Sequence, residues 1–157
     1  MPKSIYKLKK LSYSELLIKV ACVLTLLIYL YFVLNITLID RTAGTQRHVL
    51  RPLWEMRSMF QSGNYSYWSG QIGGNLIMLF PLGFLLPVMS DKFKSIPLTT
   101  MTGFAFSVCI ELTQYYTGRG LFESDDIIHN TIGAFASCVA FAIINNRLLT
   151  KEYDSYQ

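Results

Sequence analysis

Four long apolar segments dominate this chain and limit what it can fold into. Each is close to the roughly 20 residues that an α-helix needs to cross the hydrocarbon core of a bilayer. Inside hydrocarbon the backbone must satisfy its own hydrogen bonds, so such segments fold as helices. The chain is 52% hydrophobic and 15% charged, whereas soluble proteins carry about 25% charged residues. The sequence therefore predicts an all-α integral membrane protein, a bundle of four transmembrane helices at about residues 16–39, 72–89, 96–116 and 126–145.

A short basic segment, residues 1–15, precedes the first apolar segment. This order is also that of a secretory signal peptide. However, the apolar segment at residues 16–39 is longer than the roughly 7–15 residues of a signal core, and no small-residue cleavage site follows it. We therefore expect a retained first helix. Residues 16–145 would form one membrane domain, followed by a polar tail at residues 146–157.

The distribution of lysine and arginine predicts the orientation of the four helices. The side with both termini carries eight of these residues, including every lysine outside the helices, and the other side carries five arginines. Because cytoplasmic loops are enriched in lysine and arginine, we predict that both termini are cytoplasmic, in a multi-pass protein of the cell membrane. We attribute the net charge of +4 to this topology rather than to nucleic-acid binding. The lipid bilayer is thus the expected partner, and a nucleic acid is not.

The first outer loop, residues 40–71, mixes arginines with aromatic residues. This composition suits the headgroup layer of a membrane. Residues from Leu53 to Phe60 could form a short interfacial helix after Pro52. The alternative is a flexible loop that only touches lipid, and the sequence leaves both open.

The second half of the chain carries ionisable side chains at the edges of apolar segments, where hydrocarbon tolerates them poorly. Glu111 and Gln114 are three residues apart, which places them on one helix face. Asp126, His129 and Asn130 have the i, i+3, i+4 spacing of a single stripe. With four spans, these residues and four others meet near the outer boundary of the membrane. The predicted cluster consists of Asn75, Glu111, Gln114, Arg119, Glu123, Asp125, Asp126, His129 and Asn130.

Three kinds of role fit this cluster. The first is a hydrogen-bonded lock between helix ends, in which Arg119 neutralises a carboxylate. The second is a binding site for a polar headgroup or for the amide and ammonium groups of a ligand. The third is catalysis by Glu111 and Asp126, because a poorly solvated carboxyl group can act as a general acid or base.

The residue types of the cluster also bear on metal binding. The side chains of Glu111, Asp126 and His129 suit Zn²⁺ or Mn²⁺. The chain has neither the H-E-x-x-H spacing of a zinc protease nor the G-x-S-x-G element of a serine hydrolase. We therefore predict no metal and no other cofactor, and we leave enzymatic activity open.

Two blocks of the sequence resemble the VanZ-like family. The first, N-L-I-M-L-F-P-L-G-F-L-L-P at residues 75–87, is similar to the family's Asn, Phe-Pro-x-Gly and Pro pattern. The second is similar to its Glu-x-x-Gln, loop-arginine and Phe-Asp-x-Asp-Asp-x-x-x-Asn-x-x-Gly elements, with the matching residues Glu111, Gln114, Arg119, Phe122, Asp125, Asp126, Asn130 and Gly133. The chain departs from the family at Glu123, where aspartate is usual. It also departs at Arg51, which precedes Pro52 where an Asn-Leu-x-Pro-Phe type of element is common.

The resemblance implies a small polytopic membrane protein of Gram-positive bacteria. For some members it also implies reduced susceptibility to teicoplanin-type lipoglycopeptides. We expect such a protein to act at the outer membrane face on a lipoglycopeptide antibiotic or an envelope lipid precursor. One alternative is a membrane-embedded hydrolase or transferase that uses Glu111 and Asp126 on an envelope lipid. Another is a partner subunit without catalysis.

Overall fold

Four helices of the computed structural model are long and apolar enough to cross a membrane: Tyr13–Ile39, Tyr65–Met89, Ile96–Thr117 and Ser124–Arg147. The predicted architecture is thereby confirmed. The structure describes the backbone of residues 12–154 and the side chains of residues 12–147. Most of the predicted basic N-terminus, and the last residues of the predicted tail, lie outside the described residues.

The first spanning helix, α1 (Tyr13–Leu34), continues through one π-helical turn at Asn35–Ile39. Leu26 of α1 packs in a small apolar core with Leu82 and Leu86. Most of the other apolar side chains of α1 are exposed. An isolated exposed leucine is ordinary, but a whole helix of them fits a lipid environment.

The second spanning helix consists of two parts, α3 (Tyr65–Met78) and α4 (Phe80–Met89), which meet at the buried Leu79. Proline has no N–H and its ring clashes with the carbonyl four residues earlier, so Pro81 accounts for the interruption. The helix begins at Tyr65, earlier than the predicted start at residue 72, because Asn64 accepts a hydrogen bond from the N–H of Tyr67 at 3.3 Å.

The remaining spanning helices are α5 (Ile96–Thr117) and α6 (Ser124–Asp154), and a 3₁₀ turn at Asp91–Lys94 links α4 to α5. Helix α6 is central, because it packs against α3, α4 and α5. Gly133 lies so close to α3 that a Cβ at this position would collide with the backbone carbonyl of Leu76. Small residues let membrane helices approach in this way.

The loops at one end of the bundle contain regular secondary structure. We call this end, where α5 ends and α6 begins, the polar end. Strand β1 (Arg47–Val49) pairs in parallel with β2 (Leu121–Glu123), with Val49 opposite Glu123. Helix α2 (Trp54–Ser62) follows, so of the two alternatives left open for the segment after Pro52 the short helix is the one that forms. A pair of three-residue strands has no alternating pattern long enough to be seen in sequence. These loops cover the polar end of the bundle.

Candidate functional site

The end of α5 contributes two buried side chains to the polar end. Glu111 is 1% exposed, and its Oε2 accepts a hydrogen bond from the backbone N–H of Glu123 at 2.8 Å. The Nε2 of Gln114 donates to the backbone carbonyl of Thr37 at 3.1 Å. These bonds tie α5 to β2 and to the end of α1, so both residues hold the polar end together.

The first residues of α6 divide between two tasks. Asp125 is fully buried, and its two carboxylate oxygens accept the backbone N–H groups of Leu53 at 2.6 Å and Glu55 at 3.0 Å. Asp125 therefore caps the start of α2 from another helix. Asp126 is half-buried and accepts a hydrogen bond from Nδ2 of Asn75 at 2.7 Å.

One turn further along α6, two more side chains are buried. Nδ1 of His129 lies 3.2 Å from Oε2 of Glu55, an ion-pair distance without the geometry of a hydrogen bond. Nδ2 of Asn130 donates to Oγ of Ser107 at 2.9 Å. His129 thus faces α2, whereas Asn130 joins α6 to α5.

Three carboxyl groups converge at the polar end. One oxygen from each of Glu55, Glu123 and Asp126 lies within 4.8 Å of the others. Burial raises the pKa of Glu123 to about 7, and the nearby carboxylates of Asp126, Glu55 and Asp125 add to this rise. The guanidinium of Arg41 acts in the opposite direction. The geometry therefore concentrates carboxyl groups beside Arg41 and His129.

A cavity of about 430 Å³ opens beside this group, between α1 and α3. Its polar lining residues are Arg41, Asn75, Glu111, Gln114 and Asp126. Its apolar lining residues include Phe32, Val33, Ile36, Ile77 and Met78. A cavity lined by both polar and apolar residues suits an amphipathic ligand.

Arg119 lies apart from the carboxylates. It is exposed, and its Nη1 donates to the backbone carbonyl of Leu38 at 3.2 Å. Arg119 also lines a separate cleft with Asp40 and Arg41. Among the described residues Arg119 therefore forms no ion pair with a carboxylate of the kind expected for a lock between helix ends. Its guanidinium instead binds the π-helical turn that follows α1.

The family model VanZ/LLP1 matches residues 14–145, which include the whole cluster. The chain belongs to the VanZ/LLP1 family. No curated protein and no solved structure matches the chain. Membership agrees with the resemblance seen in the two sequence blocks. It makes this chain a VanZ-like membrane protein.

Two residues of this VanZ/LLP1 member at the polar end were not among the predicted site residues: Glu55 and Arg41. An acidic residue in the first turn of a helix ordinarily interacts with the helix dipole while exposed to solvent, so no sequence pattern indicated that Glu55 would be only 1% exposed. Arg41 was only part of a basic loop. Docking of α2 and of the loop after α1 brings both to the carboxylates, and the burial of Glu55 follows from that docking.

Proposed function

We propose that this VanZ/LLP1 member binds the polar part of a membrane-anchored ligand in the cavity between α1 and α3. By doing so it lowers susceptibility to teicoplanin-type lipoglycopeptides. The observation that carries the proposal is a pair of buried polar atoms on the cavity wall, Oη of Tyr29 and Oε1 of Gln114. Neither has a hydrogen-bond partner among the described residues. A buried polar atom without a partner is costly, and a ligand that bonds to it recovers that cost.

The chemistry of the cavity indicates what such a ligand carries. Glu111 and Asp126 attract ammonium groups and accept hydrogen bonds from amides. The apolar walls favour an acyl chain, because burial of hydrocarbon is worth about 25 cal/mol per Å². A lipoglycopeptide or a lipid-linked envelope precursor has both parts. The cavity volume of about 430 Å³ accommodates a headgroup segment or part of a chain rather than a whole antibiotic.

The side of the membrane matters for this proposal. The lysine and arginine distribution favours cytoplasmic termini, which puts the polar end at the outer face of the cell membrane. Lipoglycopeptides meet their lipid-anchored target at that face in Gram-positive bacteria. The site would then act either by binding the lipid-anchored ligand itself or by keeping the antibiotic away from that ligand.

The test compares Glu111→Gln and Asp126→Asn with wild type in a teicoplanin-susceptible Gram-positive host. We expect each variant to lose most of the increase in the teicoplanin inhibitory concentration, because each removes a carboxyl group from the polar lining of the cavity. Asp40→Asn is the matched control, since Asp40 is exposed and does not line this cavity. Membrane abundance is measured for every variant. Full tolerance in both cavity variants at wild-type abundance would overturn the proposal.

A second candidate function is a hydrolase or transferase acting on an envelope lipid. Glu111 and Asp126 line the same cavity, so a lipid bound there would lie beside both residues. Mass spectrometry of lipid extracts discriminates between the functions. An envelope lipid altered by wild type but not by Glu111→Gln favours catalysis, and unaltered lipid with retained tolerance favours binding alone.

A further inference from the structure

We propose that Glu55, Glu123 and Asp126 form a binding site for a divalent cation, with His129 beside it. The site joins α2, β2 and α6, which are three separate elements of the polar end. It does not depend on the ligand proposed above, although Asp126 belongs to both places. A cation held here would form part of the polar boundary of the cavity.

The spacing of the carboxylate oxygens carries the first step. One oxygen from each residue lies within 4.8 Å of the other two. Oxygen ligands bind Mg²⁺ or Ca²⁺ at about 2.0–2.6 Å, so two ligands of one ion lie no more than about 5 Å apart. The three oxygens are therefore at distances that one ion can bridge with modest side-chain movement.

Buried atoms without a hydrogen bond carry the second step, although two of them, on Glu55 and His129, lie at ion-pair distance from each other. Oε2 of Glu55, Oε1 of Glu123 and Nδ1 of His129 are buried and make no hydrogen bond within the part of the chain that the structure describes. His129 is only 5% exposed, and its Nδ1 faces Oε2 of Glu55 at 3.2 Å. Native proteins rarely leave such atoms unsatisfied. All three atoms are of the types that bind metal ions.

The local charge balance carries the third step. Asp125 adds a further carboxylate, whose oxygens are already used by the N–H groups of Leu53 and Glu55. The cationic side chains at this group are Arg41, which is exposed, and His129 if protonated. Buried carboxylates are stable when they are paired or bind a metal. A divalent cation would neutralise the negative charge that Arg41 and His129 leave.

The ligand types indicate the class of ion. Three carboxylates favour the hard cations Mg²⁺, Ca²⁺ and Mn²⁺, and an imidazole shifts the preference toward Mn²⁺. The members of the group are carboxylates, and none is a thiolate of the kind that selects Zn²⁺ in structural sites. Mn²⁺ is therefore the most informative probe.

The test uses the purified full-length protein in detergent, stripped of metal with a chelator and titrated with MnCl₂. Free Mn²⁺ is followed by electron paramagnetic resonance, whose signal falls when the ion binds. We expect one Mn²⁺ per chain in the wild type, displaced by Ca²⁺ or Mg²⁺. Glu123→Gln should weaken the affinity about tenfold or more, as loss of even an outer-shell partner of a metal costs 10–100-fold.

Two further variants complete the experiment. Asp40→Asn removes an exposed acidic residue outside the three-carboxylate group and should bind Mn²⁺ like wild type. Glu55→Gln should weaken Mn²⁺ binding as Glu123→Gln does. If Glu55→Gln fails to fold, the affinity of Glu123→Gln for Mn²⁺ decides the test, because Glu123 is only half-buried. An equal loss of affinity in Asp40→Asn would overturn the proposal. So would a wild type that takes up no Mn²⁺, or a folded Glu123→Gln that binds as tightly as wild type.

Discussion

At the residue scale, neighbouring carboxylates have different tasks. Asp125 and Asp126 are adjacent in sequence and both belong to the resemblance to the family. Asp125 binds two backbone N–H groups of α2, whereas Asp126 binds Asn75 and lines the cavity. Leu53 adopts a left-handed conformation with φ 61°, which is uncommon outside glycine, and its N–H donates to Asp125 at 2.6 Å. A family motif can thus combine a structural residue with one that is open to a ligand.

We predict that Asp125→Ala destabilises the docking of α2. The substitution leaves the buried N–H of Glu55 without its acceptor, which costs about 1–3 kcal/mol. The thermal unfolding temperature in detergent should fall, and amide exchange at residues 53–57 should accelerate. Asp40→Ala is the control at an exposed position and should match wild type. An unchanged exchange rate at residues 53–57 in Asp125→Ala would contradict this role.

At the scale of elements, close approach between helices determines which polar groups meet. Gly133 of α6 contacts α3 where a Cβ would collide with the carbonyl of Leu76. Asn75 and Asp126, near the same contact, are then joined at 2.7 Å. Helices held further apart would leave this hydrogen bond unmade. Gly133 therefore acts on the site through the distance between α3 and α6.

We predict that Gly133→Ala destabilises the contact between α3 and α6. The new methyl group overlaps backbone rather than a movable side chain, and overpacking of this kind costs about 1–3 kcal/mol or more. Gly73→Ala is the matched control, because a Cβ at Gly73 has no atom within 4 Å among the described residues. The melting temperature in detergent should fall for the first variant and stay level or rise for the second. Equal melting temperatures would show that α6 can shift without cost.

At the scale of the whole molecule, the four spanning helices present very different surfaces. Helix α1 contacts the others mainly through α4 and, at the polar end, through the π-helical turn against α5. The gap between α1 and α3 is the cavity. Because spanning helices line this cavity, we propose that a membrane-anchored ligand reaches it sideways from the bilayer. This arrangement suits a membrane-anchored ligand better than a freely soluble one.

Orientation is also a property of the whole molecule, and cysteine labelling tests it. Ser66 is exposed at the start of α3, at the polar end. We predict that Ser66→Cys reacts with a membrane-impermeant maleimide in intact cells, because the positive charges favour cytoplasmic termini. The native cysteines are replaced by alanine as background. Labelling only after permeabilisation would place the polar end in the cytoplasm.

The sequence by itself determined the four spanning helices, since apolar length and the need to satisfy backbone hydrogen bonds in hydrocarbon act locally. Helical spacing and the order of the spans also grouped Asn75 with Asp126, and Glu111 with the loop at Glu123. The structure brings these pairs together. Such inferences need only the period of the α-helix and the fact that successive spanning helices cross the membrane in opposite directions.

The tertiary structure alone decided which polar groups are buried, and against what. Glu55 lies on a short helix that in sequence is compatible with a flexible loop, yet α2 docks through Asp125, a residue 70 positions away from Glu55 in the chain. Arg119 binds the carbonyl of Leu38, whereas Arg41 lies beside the carboxylates. These outcomes depend on long-range contacts, and the free energy of each contact depends on solvent exclusion by the others. No local pattern encodes that exclusion, so the three-carboxylate group appears only when the chain is folded.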